Sequence, residues 1–132
     1  MGLKDLFSSK RVIDKIQKYF QDSKTTLNHE NNRYSFELFL SESGYSLYPY
    51  FMLNEDETVI SIIINVRRRE LNEDIYMKLN EFNLLSKYFQ AKCNDDSIFL
   101  EYNSIISYDN IKEIFKKAIE SIFSLQEEID KL

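Results

Sequence analysis

Thr58-Val59-Ile60-Ser61-Ile62-Ile63-Ile64-Asn65-Val66-Arg67 is the stretch on which the fold turns. It is β-branched almost throughout, which favours a pleated strand over a helix. Ile60, Ile62, Ile64 and Val66 recur every second residue and so share one face, the predicted core face. Val59 and Ile63 place apolar groups on the other face as well, which predicts a central strand.

Reading upstream, residues 54–57 (Asn-Glu-Asp-Glu) make a polar turn, and residues 45–53 read as a second strand. Residues 33–41 alternate: Tyr34, Phe36, Leu38 and Leu40 point one way, Ser35, Glu37 and Phe39 the other. The short link Glu42-Ser43-Gly44 makes these two strands antiparallel, with Gly44 as the positive-φ residue of the turn. Pro49 cannot donate to a ladder, which predicts an edge or bulged position for the second strand. Residues 24–32 form a polar connection holding the one histidine, His29. Before it, Val12, Ile13, Ile16, Tyr19 and Phe20 recur at helical spacing, with Ser8 or Ser9 as candidate caps after an apolar lead over residues 3–7.

Downstream, Asn72 caps a predicted helix over residues 73–89, with Ile75, Leu79, Phe82, Leu85 and Phe89 as its buried stripe. Residues 91–93 and 97–105 read as a hairpin around Asn94-Asp95-Asp96, with Ile98, Leu100 and Tyr102 inward. A last helix, capped by Ser107 or Asp109, carries Ile111, Phe115, Ala118, Ile122, Leu125, Ile129 and Leu132 at alternating four- and three-residue steps. The expected architecture over residues 1–132 is one α+β domain: helix, three strands, helix, two strands, helix. Its sheet is mainly antiparallel, with helices packed on one face.

Composition narrows the function. The chain has 132 residues, 43% of them hydrophobic and 30% charged, with Gly 2 and Pro 1, so regular elements joined by short turns are expected. A net charge of -5 argues against nucleic acid as the partner. The one positive run, Arg67-Arg68-Arg69, is followed at once by Glu70, Glu73 and Asp74; it reads as a solvated strand end or a contact for an acidic partner. No apolar run approaches the ~20 residues of a membrane span. The start shows no signal-peptide pattern and only a weak Met-Gly acylation pattern, and Cys93 has no second cysteine to pair with; a reducing cytoplasm is the expected setting.

Chemistry for an enzyme is sparse. His29 and Cys93 are far apart in sequence, no Cys/His cluster has metal spacing, and two glycines cannot build a phosphate loop. No catalytic residue, metal or cofactor is assigned.

Leu79-Asn80-Glu81-Phe82-Asn83, then Ile98-Phe99-Leu100-Glu101-Tyr102, then the apolar positions from Ile111 to Leu125 resemble the second half of the YbjN-like proteins. The element order resembles that family and its relatives, the small chaperones of type III secretion. The resemblance implies a domain that holds or regulates another polypeptide by contact, often as a homodimer.

Three sets of residues are candidates on this reading. Phe39, Tyr48, Tyr50 and Met52 fall opposite the predicted core face and would capture a peptide, unless the helices cover that face. Asn80 and Asn83 share a helix face; they either tie the helix to a neighbouring strand or loop, or contact a partner. Ile122, Leu125, Ile129 and Leu132 run past what a small sheet would cover and are assigned to a homodimer interface. The edge strand containing Pro49 would suit strand addition by a partner. An alternative of a different class is a small acidic inhibitor or immunity protein, phage or mobile-element encoded, docking through the acids of residues 54–57 and of the last helix.

Overall fold

The computed structural model describes residues 11–68 and 70–132. The lead over residues 3–7, the candidate caps Ser8 and Ser9, and the side chains of residues 67–69 lie outside that description. The described chain runs α1 (Val12–Asp22), β1 (Asn28–Glu30), β2 (Arg33–Ser35), β3 (Leu38–Leu40), β4 (Tyr45–Leu47), β5 (Tyr50–Leu53), β6 (Val59–Arg68), α2 (Glu73–Leu85), β7 (Gln90–Asn94), β8 (Ser97–Ile105), α3 (Ile111–Ser124) and α4 (Gln126–Asp130).

Six strands form an antiparallel sheet in the order β1-β2-β5-β6-β8-β7. The apolar strand β6 is interior, as its two-sided pattern requires. Phe51, Ile60, Ile62, Ile64, Ile98, Leu100 and Tyr102 are buried on one face against Ile16 and Phe20 of α1, Ile75 and Phe82 of α2, and Phe115 of α3. The opposite face carries Tyr50, Met52, Val59, Ser61, Asn65, Phe99, Glu101 and Asn103, all partly or fully exposed. Helices therefore pack on one face of an α+β fold. At its centre Phe115 lies 5.1 Å from Phe20 and 5.3 Å from Phe51, both edge-to-face, the geometry the ring quadrupole favours.

The first hairpin departs from the expected pair of unbroken strands. Each arm splits, giving β2 and β3 on one side and β4 and β5 on the other, yet the partners keep one register from Tyr34↔Phe51 through Ser35↔Tyr50 to Leu40↔Tyr45. The ladder fails where Pro49 falls. Phe36 donates its N–H to the Pro49 carbonyl at 3.1 Å, but proline has no N–H to return. Beyond this point the hairpin leaves β6, whose pairing with β5 ends at Tyr50↔Ile63, and β3 and β4 form a separate two-stranded arm. Pro49 thus marks a bend, and β5 lies between β2 and β6. On the arm, β4 pairs with β3 alone among the described strands, so the half of the expected strand before Pro49 keeps an unpaired edge, while β5 does not. The tip turn uses Gly44 at φ 77°, as expected.

Residues read as a polar connection supply a further strand, β1, turned onto β2 with Asn31 at φ 57°. His29 therefore sits on an edge strand rather than in a loop.

Helix ends also differ from the sequence expectation. Asn72 caps α2 as expected, its side chain accepting from the Ile75 N–H at 3.0 Å. The helix ends at Leu85, because Ser86 turns to extended backbone, so Leu85 is exposed while Phe89 stays buried on the following segment. Neither Ser107 nor Asp109 caps α3; Asn110 precedes it, accepting from the Ser107 N–H and donating to the Ile105 carbonyl. The first turn of α1 is served from across the molecule. Arg11 precedes the helix without a side-chain cap, and Glu57 accepts from the Ile13 N–H at 3.2 Å while pairing with Arg11 at 2.7 Å. Replacing Glu57 by Ala should cost about 1–2 kcal/mol, the ordinary worth of a helix cap. A urea unfolding midpoint equal to wild type would show that the contact contributes nothing.

The last helix is not continuous. It breaks at Leu125, where φ -110° and ψ 19° leave the helical region, and α4 follows. Beyond the break Ile129 and Leu132 are both 0% exposed, and Ile122 is buried too. The homodimer assignment for Ile122, Ile129 and Leu132 is corrected accordingly: side chains with no accessible surface cannot meet a second chain. Leu125 is half-buried against the same core.

Candidate protein-binding surface

The β3–β4 arm is the feature that stands apart from the sheet. Its inner side is closed by Phe36, Leu40 and Leu47, all buried. Polar contacts to α4 fix its tip. The Gln126 side chain accepts from the Glu42 N–H at 3.2 Å and donates to the Phe123 carbonyl at 3.1 Å; Ser43 and Tyr45 both donate to Asp130. Gln126 is 4% exposed, so its amide is a buried polar group with both ends matched. The arm is thus held on one side by apolar contact and at the tip by hydrogen bonds.

Its outer side is different. Phe39 is 58% and Tyr48 64% exposed. Phe39 pairs with Ser46, and Tyr48 lies two residues further along the same face, so the rings are diagonal neighbours roughly 7–8 Å apart at their backbones. Ser46 donates to Glu37 beside them at 2.6 Å. Tyr50 and Met52 continue this face onto the main sheet, half-buried, with the Arg33 guanidinium 4.7 Å over the Tyr50 ring. All four residues expected on the outward face share one parity along these strands and are exposed or half-buried, and the helices pack on the other face of the main sheet.

Farther along the open face the surface turns polar. Glu101 accepts from Lys92 at 2.8 Å and from Asn103 at 2.9 Å, while Ser61 donates to Asn103 at 2.6 Å. The hydrogen bonds from Lys92 and Asn103 hold the Glu101 carboxyl below the usual carboxylate range. A depressed pKa in the folded chain means that this stabilisation is present above the ordinary carboxylate range and is lost as pH falls through the lowered value.

The two asparagines of α2 separate. Asn83 donates to the Ala91 carbonyl at 3.1 Å and accepts from the Ala91 N–H at 2.6 Å, tying the helix to β7. With both ends of its amide engaged it is a structural tie, and its assignment to a partner contact is corrected. Asn80 is exposed, on the same side of α2 as Tyr76, Met77 and Leu84. Of the acidic turn, Glu57 is engaged by Arg11 and the start of α1.

The contacts that Glu57, Gln126 and Asp130 make within the chain were invisible in the sequence, because each acts on a segment more than 40 positions away. No local spacing announces such contacts.

His29 and Cys93 lie on β1 and β7, the two opposite edges of the six-stranded sheet, on the order of 20–25 Å apart by strand spacing. His29 stacks on Tyr34 with centroids 4.0 Å apart, and Tyr34 stacks on Phe51 in turn. An open cleft of about 600 Å³ runs between the end of α1 and this histidine; its titratable side chains are Lys24, His29 and Tyr34. Among the described residues, no group of three His, Cys, Asp or Glu side chains is placed to hold a metal, and no helix is long and apolar enough to cross a membrane. A scan against protein-family models and a search of curated proteins found no match for this chain.

Proposed function

We propose that the chain is a protein-binding module that holds another polypeptide on the outer face of the β3–β4 arm and the adjoining sheet. One observation carries this reading: Phe39 and Tyr48 stand exposed, side by side, on an arm whose opposite face and tip are anchored. Two aromatic rings left in water are costly unless something covers them, and rings supply contact area with little rotamer entropy to lose. The anchoring matters equally. A pre-ordered arm spares the complex the cost of ordering it, which is where much affinity is otherwise lost.

The reading has a direct test. In the double variant Phe39→Ser, Tyr48→Ser both side chains were already exposed, so stability should change by no more than about 0.5 kcal/mol per site. Affinity capture from the source cells, followed by titration calorimetry with the purified captured protein, should show at least a tenfold weaker complex for the variant. Equal affinity for wild type and variant would remove the arm from the interface.

A further inference from the structure

We propose that Asn83 is a built-in cap on the outer edge of β7, and that it keeps a second copy of this chain from adding strand to strand there.

Among the described residues, strand β7 has one neighbour, β8, so its other side is a sheet edge. In an antiparallel ladder the N–H and C=O of alternate residues point toward the partner strand and away from it. Both backbone groups of Ala91 are bound by the Asn83 amide, at 3.1 and 2.6 Å, so Ala91 is an outward-pointing residue of this edge. A primary amide carries an acceptor and a donor on one side, much as a single residue of a strand presents its C=O and N–H to the residue opposite. Asn83 therefore occupies the place where the first residue of an added strand would pair.

Alternation puts the next outward pair on Cys93, two residues on. Between them Lys92 is held down on the open face by Glu101 at 2.8 Å. An incoming strand meets one free backbone pair instead of two on a strand of five residues. The choice of residue supports this role. Asparagine is a poor helix former, and Asn83 sits near the end of α2, where that penalty needs an offsetting contact. Without the cap, β7 presents Gln90-Ala91-Lys92-Cys93-Asn94, a short edge lacking proline or an inward charge. Two such edges can pair about a two-fold axis, residue for residue.

The test has two parts, both under reducing conditions so that Cys93 cannot cross-link. Hydrogen exchange on the wild-type chain comes first: the Ala91 amide should exchange at least tenfold more slowly than that of Cys93. Equal rates would mean that the Asn83 bond is not closed in solution, and the proposal would fall. The second part compares Asn83→Ala with Asn83→Ala, Cys93→Pro by sedimentation across a hundredfold range of concentration. The single variant should gain mass with concentration relative to wild type. The added proline, at a position whose N–H faces outward, should return it to the wild-type mass without cutting the β8 ladder. A folded single variant that keeps the wild-type mass, or a double variant that still associates, would assign edge protection elsewhere. Should Asn83→Ala not fold, the exchange comparison decides alone.

Discussion

Removal of residues 125–132 will abolish cooperative unfolding of this chain. The segment brings Ile129 and Leu132, both 0% exposed, and the Gln126 and Asp130 contacts that hold the tip of the β3–β4 arm. Truncating a buried isoleucine or leucine costs about 2–5 kcal/mol each, and losing two approaches the 5–15 kcal/mol total stability of an ordinary domain. The arm would lose the hydrogen bonds that hold its tip at the same time. Urea unfolding followed by circular dichroism, with dye binding to report exposed apolar surface, measures the effect. A sharp transition near the wild-type midpoint would show that α4 is dispensable. A truncated chain that keeps its stability but loses assembled mass would return this helix to an intersubunit role.

The second large effect is expected from Phe115→Ala. This ring is fully buried and meets Phe20, Phe51 and Tyr19 with centroids 5.1, 5.3 and 5.7 Å away, joining α3, α1 and the sheet. The loss should be about 3–5 kcal/mol, from transfer of the ring, the cavity left behind and the missing ring contacts. Phe115→Leu should recover part of it, because much of the volume is restored. Equal stabilities for wild type and the alanine variant would mean that the contact joining α3, α1 and the sheet is not made in solution. By contrast, Phe39→Ser and Tyr48→Ser should barely move the same measurement, although all three are phenylalanine or tyrosine. Burial, not residue type, separates them.

The reading of residues 58–67 shows what a pattern can carry. Period-two alternation with β-branched residues requires a strand, and apolar groups on both faces require neighbours on both sides; β6 has β5 and β8. That Phe39, Tyr48, Tyr50 and Met52 share one parity was legible for the same reason, but periodicity left open which side the helices would cover. The error at the C-terminus has an equally plain origin. A four-three apolar repeat continuing past Ser124 looks like a seam longer than the sheet can cover only if the helix is straight. The helix breaks at Leu125, and Ile129 and Leu132 are buried within the described chain.

The amino-acid order by itself determined the central strand β6, the middle of each helix and the turn at Gly44, because each depends on residues within one or two turns of chain; β1 and the ends of α2 and α3 were not legible in it. Only the tertiary structure decided that the first hairpin would leave the sheet beyond Pro49, that Glu57 would serve α1, that Asn83 would bond to Ala91 of β7 and that Ile129 and Leu132 would be buried within the chain. Those outcomes depend on which surfaces meet after the chain has crossed itself, and the contact energies that select among them involve residues far apart in sequence. Periodicity reports which side of an element avoids water; it carries no information about what arrives to cover it.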